Sequence, residues 1–281
     1  MFRPSLATVV VLVAIASLGF MAVALLQRAR TQGQGATQRA QPQATPPAPI
    51  EPLNPPSPLD RSAPAPQPDT SPRPTRGKST SYRILRIRAG RTVQLHSKPG
   101  GGSTLASAAA TTEFGSHTTL AVAKRRGPWF GVTSTLLPNG RLGWVRTGNG
   151  NFRGSRTPLA IRVDLSQRRL RLTKGKRTVR SVTVAVGRPG ATTPTGRFAI
   201  TDKLAGARYG SYYGCCILAL SGKQPHLPAG WTGGDRLAIH GTDAPGSVGL
   251  ASSAGCLRAR DEDLHALMRR VSLGTPVFIH A

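Results

Sequence analysis

Two residue types able to make and break bonds lie close together near the end of this chain. In Leu237-Ala238-Ile239-His240-Gly241-Thr242 an apolar run delivers a histidine to its end. Sixteen residues after that histidine, Ser253-Ala254-Gly255-Cys256-Leu257-Arg258 presents a cysteine inside a turn of small residues. Cysteine acyl transfer needs these parts: a thiolate attacks, and a nearby imidazole takes and returns the proton. Glycine before the cysteine allows close backbone approach, so adjacent amides can face a developing oxyanion. Alone, His240 reads as a satisfied residue at a strand end and Cys256 as a small buried hydrophobe. The pairing makes the chemical reading.

The surrounding text is mostly strand. Ile161-Arg162-Val163-Asp164 and Arg169-Leu170-Arg171-Leu172 alternate on either side of a short turn, and Thr178 to Val186 alternates again. One segment reads as helix. Asp261 serves as its expected N-cap, Glu262 and Asp263 suit the positive dipole end, and Leu264, Leu267, Met268 and Val271 form one stripe. Arg269 and Arg270 sit in the last turn, Gly274 closes it, and Thr275-Pro276-Val277-Phe278-Ile279 is a final strand.

Ile-His-Gly-Thr, then Ser-x-Gly-Cys-Leu-Arg, an acid-rich helix and Gly-Thr-Pro-Val resemble the L,D-transpeptidases of the YkuD type. Upstream, Thr193-Pro194-Thr195-Gly196-Arg197-Phe198 fits that family's Thr-Pro-x-Gly-x-Phe motif, with Val186-Gly187 before it. The resemblance covers nearly all of residues 157–281 and implies a β-sandwich catalytic domain with a late α-helix. It also implies Cys256 as nucleophile, His240 as general base, and the Gly241 carbonyl as the group orienting the imidazole. The amides of Gly255 and Cys256 would form the oxyanion hole, and Ser253 would stabilise the turn. Arg258 either positions a substrate carboxylate or pairs with a neighbouring acid. Ala254 stands where many relatives have His, which bears on fine tuning and not on the nucleophile. The implied substrates are peptidoglycan stem peptides, and no cofactor or metal is required.

Other residues leave alternatives open. Cys215 and Cys216 read as buried thiols at the start of a strand, with a vicinal disulfide as the alternative; pairing of either with Cys256 would switch the site off. His226, His240, Cys256 and His280 lack the ligand spacing of a zinc site. Tyr209, Tyr212 and Tyr213 either line the cleft or pack a loop.

Upstream of the chemistry, short alternating runs separated by turn signals occupy residues 81–150. Val93 to Gly100, then Gly127-Pro128-Trp129-Phe130-Gly131-Val132, then Gly143-Trp144-Val145 resemble a bacterial SH3-like domain, which implies a small β-barrel. That module holds ten Lys or Arg and a single acid, Glu113, which suits an anionic cell-wall polymer as partner or a solvated basic face. Residues 31–80 carry thirteen of the 24 prolines and read as a disordered tether. Ser5 to Leu26 has no charge and is long enough to cross a membrane; it fits an uncleaved anchor better than a cleaved signal peptide within residues 1–30.

Across 281 residues, 38 Lys plus Arg face 11 Asp plus Glu for a formal charge of +27. The composition excludes a multi-span membrane protein, a coiled coil and a disulfide-stapled mini-protein. Charge alone also suggests nucleic acid, but export and the absence of an aromatic-basic recognition motif argue against it. The expectation is an exported, mainly β enzyme held at the outer face of the cytoplasmic membrane or secreted to the wall. The alternative is a wall-binding protein whose catalytic domain has lost its activity.

Overall fold

The computed structural model describes residues 80–281. The expected membrane or signal segment and, but for Thr80, the Pro-rich tether lie outside the described residues. Among the described residues no helix is long and apolar enough to cross a membrane.

The mainly β expectation holds, with one α-helix among the described residues. The first sheet contains β1 (Tyr82–Ile87), β2 (Thr92–Lys98), β3 (Gly101–Ala109), β4 (Thr119–Arg126), β5 (Trp129–Val132), β6 (Gly143–Arg146) and β7 (Phe152–Thr157). Its spatial order is β3-β2-β6-β5-β4-β1-β7. Strand β2 shows the period-two logic: Val93 and Leu95 are buried while Thr92 and Gln94 face water. Strand β7 pairs with all of β1, from Tyr82 opposite Thr157 to Ile87 opposite Phe152, so this sheet continues past residue 150.

The second part holds β8 (Leu159–Asp164), β9 (Arg169–Lys174), β10 (Arg177–Thr183), β11 (Val186–Gly187), β12 (Gly196–Ala205), β13 (Cys216–Lys223), β14 (Arg236–His240), β15 (Ala251–Ser253) and β16 (Leu257–Arg258). Helix α1 (Asp261–Arg270) and β17 (Pro276–His280) complete it. Eight strands form one sheet in the order β10-β9-β8-β17-β12-β13-β14-β16, and β11 pairs with β15 separately. The last strand, β17, lies in mid-sheet, parallel to β8 and antiparallel to β12.

Strand β13 reads Cys-Ile-Leu-Ala-Leu-Ser-Gly-Lys and is buried along all but its last residue, because both of its faces are covered. Leu218 and Leu220 on it join Phe198, Ile200, Leu237, Ile239 and Leu257 in one core, with Leu264 and Leu267 of α1 packed in. Each such side chain contributes about 1.5–3 kcal/mol relative to exposure.

Helix α1 follows the expected stripe, but its ends differ from expectation. Arg260 is the N-cap and makes no side-chain cap bond. The Asp261 carboxylate instead accepts from the amides of Cys215 at 3.0 Å and Thr242 at 3.2 Å. Two loop amides needing an acceptor outcompete the helix's own. At the other end Val271 caps the helix in an extended conformation. Gly274 does not close it: with φ +80° it donates to Ile200 O at 2.8 Å. A Cβ there would come within 2.7 Å of Thr119 Cγ2 and 2.8 Å of Ile84 Cγ2, so this glycine marks close approach of the first sheet.

Polar bonds tie the first sheet to the second. Arg197 donates to Val122 O at 2.6 Å, and Asn139 and Lys223 exchange two bonds of 2.7 and 2.9 Å. Thr112 donates to the fully buried Asp202 at 2.5 Å, and Arg236 pairs with Glu113.

Candidate active site

Strands β14 and β16 run parallel, with Ile239 opposite Leu257 and His240 opposite Arg258. Side chains alternate between faces along a strand. Ile239 and Leu257 therefore enter the core, where both are fully buried. His240 and Arg258 take the other face, and Cys256, directly before β16, returns to it. A spacing of sixteen residues in sequence thus becomes a diagonal across two adjacent strands.

The turn carrying Cys256 is held from three directions. Ser253, fully buried, donates to Cys256 O at 2.6 Å and accepts from the Gly255 amide at 3.0 Å. Thr193, from the Thr-Pro-Thr-Gly segment, donates to Gly255 O at 2.8 Å while accepting from the Gly187 amide at 2.9 Å. Gln224 donates its side-chain amide to Ala254 O at 3.1 Å and to Thr192 O at 3.0 Å. Gly255 has φ +118°, and a Cβ on it would collide with the Gln224 amide. Only glycine fits both constraints. Of the expected oxyanion pair, the Gly255 N–H donates to Ser253 in this structure.

The imidazole is set by its neighbours. His240 is fully buried, and its Nδ1 lies 2.6 Å from Gly241 O. A carbonyl can only accept, so Nδ1 carries the proton and Nε2 keeps its lone pair. That Nε2 is buried with no hydrogen-bond partner. Burial pulls the His240 pKa down to about 4, the Gly241 carbonyl opposes this, and the Arg258 charge adds to the fall. Burial likewise pushes the Cys256 thiol up, opposed by a backbone hydrogen bond and by Arg258. Cys256 opens partly to the cleft, which limits that push. Its Sγ is directed at Arg236 O, 3.8 Å away. These shifts leave the thiol and the imidazole each neutral at rest, with no hydrogen bond between Cys256 Sγ and His240 Nε2.

The opposite wall is aromatic. Tyr212, Tyr213, Leu227 and Trp231 line the cleft with Cys256, Ala254 and Gln224. The rings of Tyr213 and Tyr212 lie 5.0 and 5.5 Å from His240, so these two tyrosines are cleft residues. Tyr209 instead packs against Phe114 of the first part at 6.1 Å. Arg258 makes no ion pair among the described residues. Its guanidinium donates to the Tyr212 hydroxyl at 2.5 Å and stacks on that ring at 4.6 Å, while its Nε is buried without a partner.

Cys215 and Cys216 differ from the expected free thiols: they form a vicinal disulfide. Cys256 is then the free thiol of the three, so the bond removes the competing partners expected to threaten it. The Cys216 carbonyl also accepts from the Gly241 amide at 3.0 Å, directly behind the catalytic histidine candidate. The four residues weighed for zinc are not brought together. The metal-type cluster among the described residues is Cys215, Cys216 and His265, and its two sulfurs are committed to the disulfide. Gln224, Thr193 and Trp231 carried no individual role in the sequence reading. Gln224 follows Ser221-Gly222-Lys223 just past β13, a polar run that carries no signal for its role.

Residues 158–279 match the YkuD family model, an L,D-transpeptidase catalytic domain. The YkuD-matching segment includes both His240 and Cys256 and is less than half of the 281-residue chain. The YkuD protein of Bacillus licheniformis is 36% identical over 124 residues, covering 43% of this chain and 66% of that one. The Bacillus subtilis YkuD protein is 34% identical over 125 residues, again with 66% of its length covered. Among solved structures, an L,D-transpeptidase from Mycobacterium smegmatis superposes on 50% of this chain and 73% of its own, at 17% identity and TM-score 0.35. The catalytic domain of the Enterococcus faecium L,D-transpeptidase covers 43% of this chain and 96% of its own, at 23% identity and TM-score 0.32. Both superpositions are partial, and the reading of the YkuD-matching segment rests on the family match.

Proposed function

We propose that this protein is an L,D-transpeptidase that cross-links peptidoglycan at the cell envelope. The observation that carries the reading is the parallel β14–β16 pair, which brings a thiol and an imidazole with a free Nε2 to one face. Cys256 Sγ attacks the carbonyl of the third residue of a donor tetrapeptide stem. Its proton passes to His240 Nε2 as the carbon–sulfur bond forms. A stepwise ion pair is disfavoured, because the imidazole pKa is pulled down to about 4 and the thiol pKa is pushed up. The carbon–nitrogen bond to terminal D-alanine then breaks, and the imidazolium returns the proton to the leaving amine. An amine on a second stem attacks the thioester and gives up a proton to His240; the carbon–sulfur bond breaks, and the imidazolium returns that proton to the departing Cys256 sulfur.

The Cys256 amide is the donor we assign to the oxyanion, since the Gly255 amide is engaged with Ser253. Arg258, free of any carboxylate among the described residues, is the charge we assign to a carboxylate of the donor stem. Export is supported by the uncharged stretch Ser5–Leu26, and an SH3-like reading of the first sheet by Trp129 and Trp144 in paired strands.

Intact-mass spectrometry with a carbapenem tests the assignment. The wild type gains one adduct, Cys256→Ala gains none, and His240→Ala acylates slower by orders of magnitude. An adduct persisting on Cys256→Ala overturns it. Products made from purified muropeptides distinguish cross-linking from hydrolysis, and full acylation without any turnover overturns the transferase reading in favour of wall binding.

A further inference from the structure

Two open grooves meet at Tyr82, where the first sheet adjoins the second. One, of about 370 Å³, is lined by Arg83, Lys124, Arg125, Arg156 and Arg197. The other, of about 480 Å³, carries Arg162, Arg171 and Lys176. No carboxylate lines either groove. Among the described residues none of these eight cations forms an ion pair: those formed by Lys and Arg involve only Arg180, Lys223 and Arg236. Asp164 lies near the far end beside His280, but its carboxylate is occupied by Ser166 and the Gln167 amide.

The guanidiniums are also held in place. Arg83 and Arg125 both stack on Phe130, at 5.3 and 5.6 Å. Arg162 and Arg197 both stack on Phe278, at 4.8 and 5.2 Å. Arg156 donates twice to Ser81, at 2.7 and 3.0 Å. A solvated basic face carries long side chains free to wander; here stacking and hydrogen bonding have already cost them much of that freedom. Like charges are thus gathered along one track with no ion pair and only the weak field of Asp164 on Arg171 against them, an arrangement that an anion stabilises. Planar forks match phosphate oxygens in pairs.

We propose that this seam is a binding track for a linear phosphodiester-type polyanion, which would hold the protein along such a polymer. A groove crossing two sheets admits a chain in preference to a flat layer of headgroups, and the proposal does not depend on the acyl-transfer reading. Long-chain inorganic polyphosphate is the probe, with the full chain as the binder at about 0.15 M salt. Replacing Arg83, Arg125 and Arg156 together by Gln lowers affinity at least tenfold. It also reduces the slope of log affinity against log salt by about 2, from roughly 0.7 per lost phosphate contact. A charge-matched variant on distant exposed positions, Arg141, Arg269 and Arg270 to Ala, stays within twofold of wild type. Circular dichroism melts check that each variant folds, and Arg→Lys replacements at the same three groove positions keep the question open to test if the Gln variant does not fold. These retain charge but lose the fork, and affinity falls about threefold. Equal losses in the groove and distant variants reduce the effect to net charge and overturn the proposal. Equally tight binding of polyglutamate overturns the phosphate preference, and binding to phosphatidylglycerol vesicles without binding to polyphosphate makes the seam a membrane face instead.

Discussion

The two walls of the cleft around Cys256 are built by different physics. The turn from Ser253 to Cys256 is fixed by directional bonds: Ser253, Thr193 and Gln224 together satisfy the carbonyls of Ala254, Gly255 and Cys256. The facing wall of Tyr212, Tyr213 and Trp231 is held mainly by ring edges, with Tyr212 and Trp231 centroids 6.3 Å apart, and by two polar anchors, Arg258 on the Tyr212 hydroxyl and Trp231 Nε1 donating to Gly234 O at 2.8 Å. Hydrogen bonds to backbone define a position within a few tenths of an ångström, whereas ring contacts tolerate sliding. The proposed nucleophile sits on the rigid wall, and the surface proposed to receive a variable peptide is the adaptable one.

Breaking the rigid wall brings the largest effect. Gly255→Ala puts a side chain at φ +118° and drives its Cβ into the Gln224 amide. The backbone strain costs about 1–3 kcal/mol, and a shift of the thiol by about 1 Å costs on the order of 100-fold in rate. Stopped-flow acylation of the folded variant measures this. A rate within threefold of wild type removes the locked turn from the account.

The same contrast explains what could be read without coordinates. Residues 253–258 are contiguous, so the turn, its proposed nucleophile and its glycine appear as one string, and His240 follows from an apolar run ending at a polar residue. Strands such as Ile161-Arg162-Val163 declare themselves because one face must be dry. Gln224 and Thr193 reach the turn from 32 and 63 residues away from Cys256, through side-chain bonds that leave no periodicity behind. Asp261 misled for a related reason: an acid at a helix start suits a cap, but long-range amides of Cys215 and Thr242 claimed it. Disulfide formation at Cys215 and Cys216 depends on local backbone geometry, which residue types alone do not encode.

The imidazole sits between the two walls, and its burial makes a pH prediction. The folded-state pKa of His240 is pulled down to about 4, below the unfolded value near 6.5. The unfolded chain therefore binds the proton more tightly, and stability falls as pH drops from about 6.5 toward 4. Between pH 7 and pH 5 the loss specific to this residue is about 2 kcal/mol. Urea unfolding of wild type and His240→Gln at both pH values isolates it: the wild type should lose about that much more. Equal losses would mean that the imidazole titrates alike in the folded and unfolded chains, and a smaller loss in the wild type would mean that its folded pKa is raised, replacing the neutral pair with a preformed ion pair.

The smallest effect belongs to the adaptable wall. Tyr212→Phe keeps the ring against His240 and under Arg258 and deletes only the hydroxyl that anchors the guanidinium at 2.5 Å. Losing one hydrogen bond to a charged, half-exposed partner costs about 1 kcal/mol, or roughly fivefold. If Arg258 holds a donor carboxylate, the loss falls on KM for a stem tetrapeptide, while acylation by a small carbapenem stays within twofold. A fall in kcat instead, shared by both substrates, would mean that the hydroxyl steadies the imidazole and that this wall too is part of the rigid machinery.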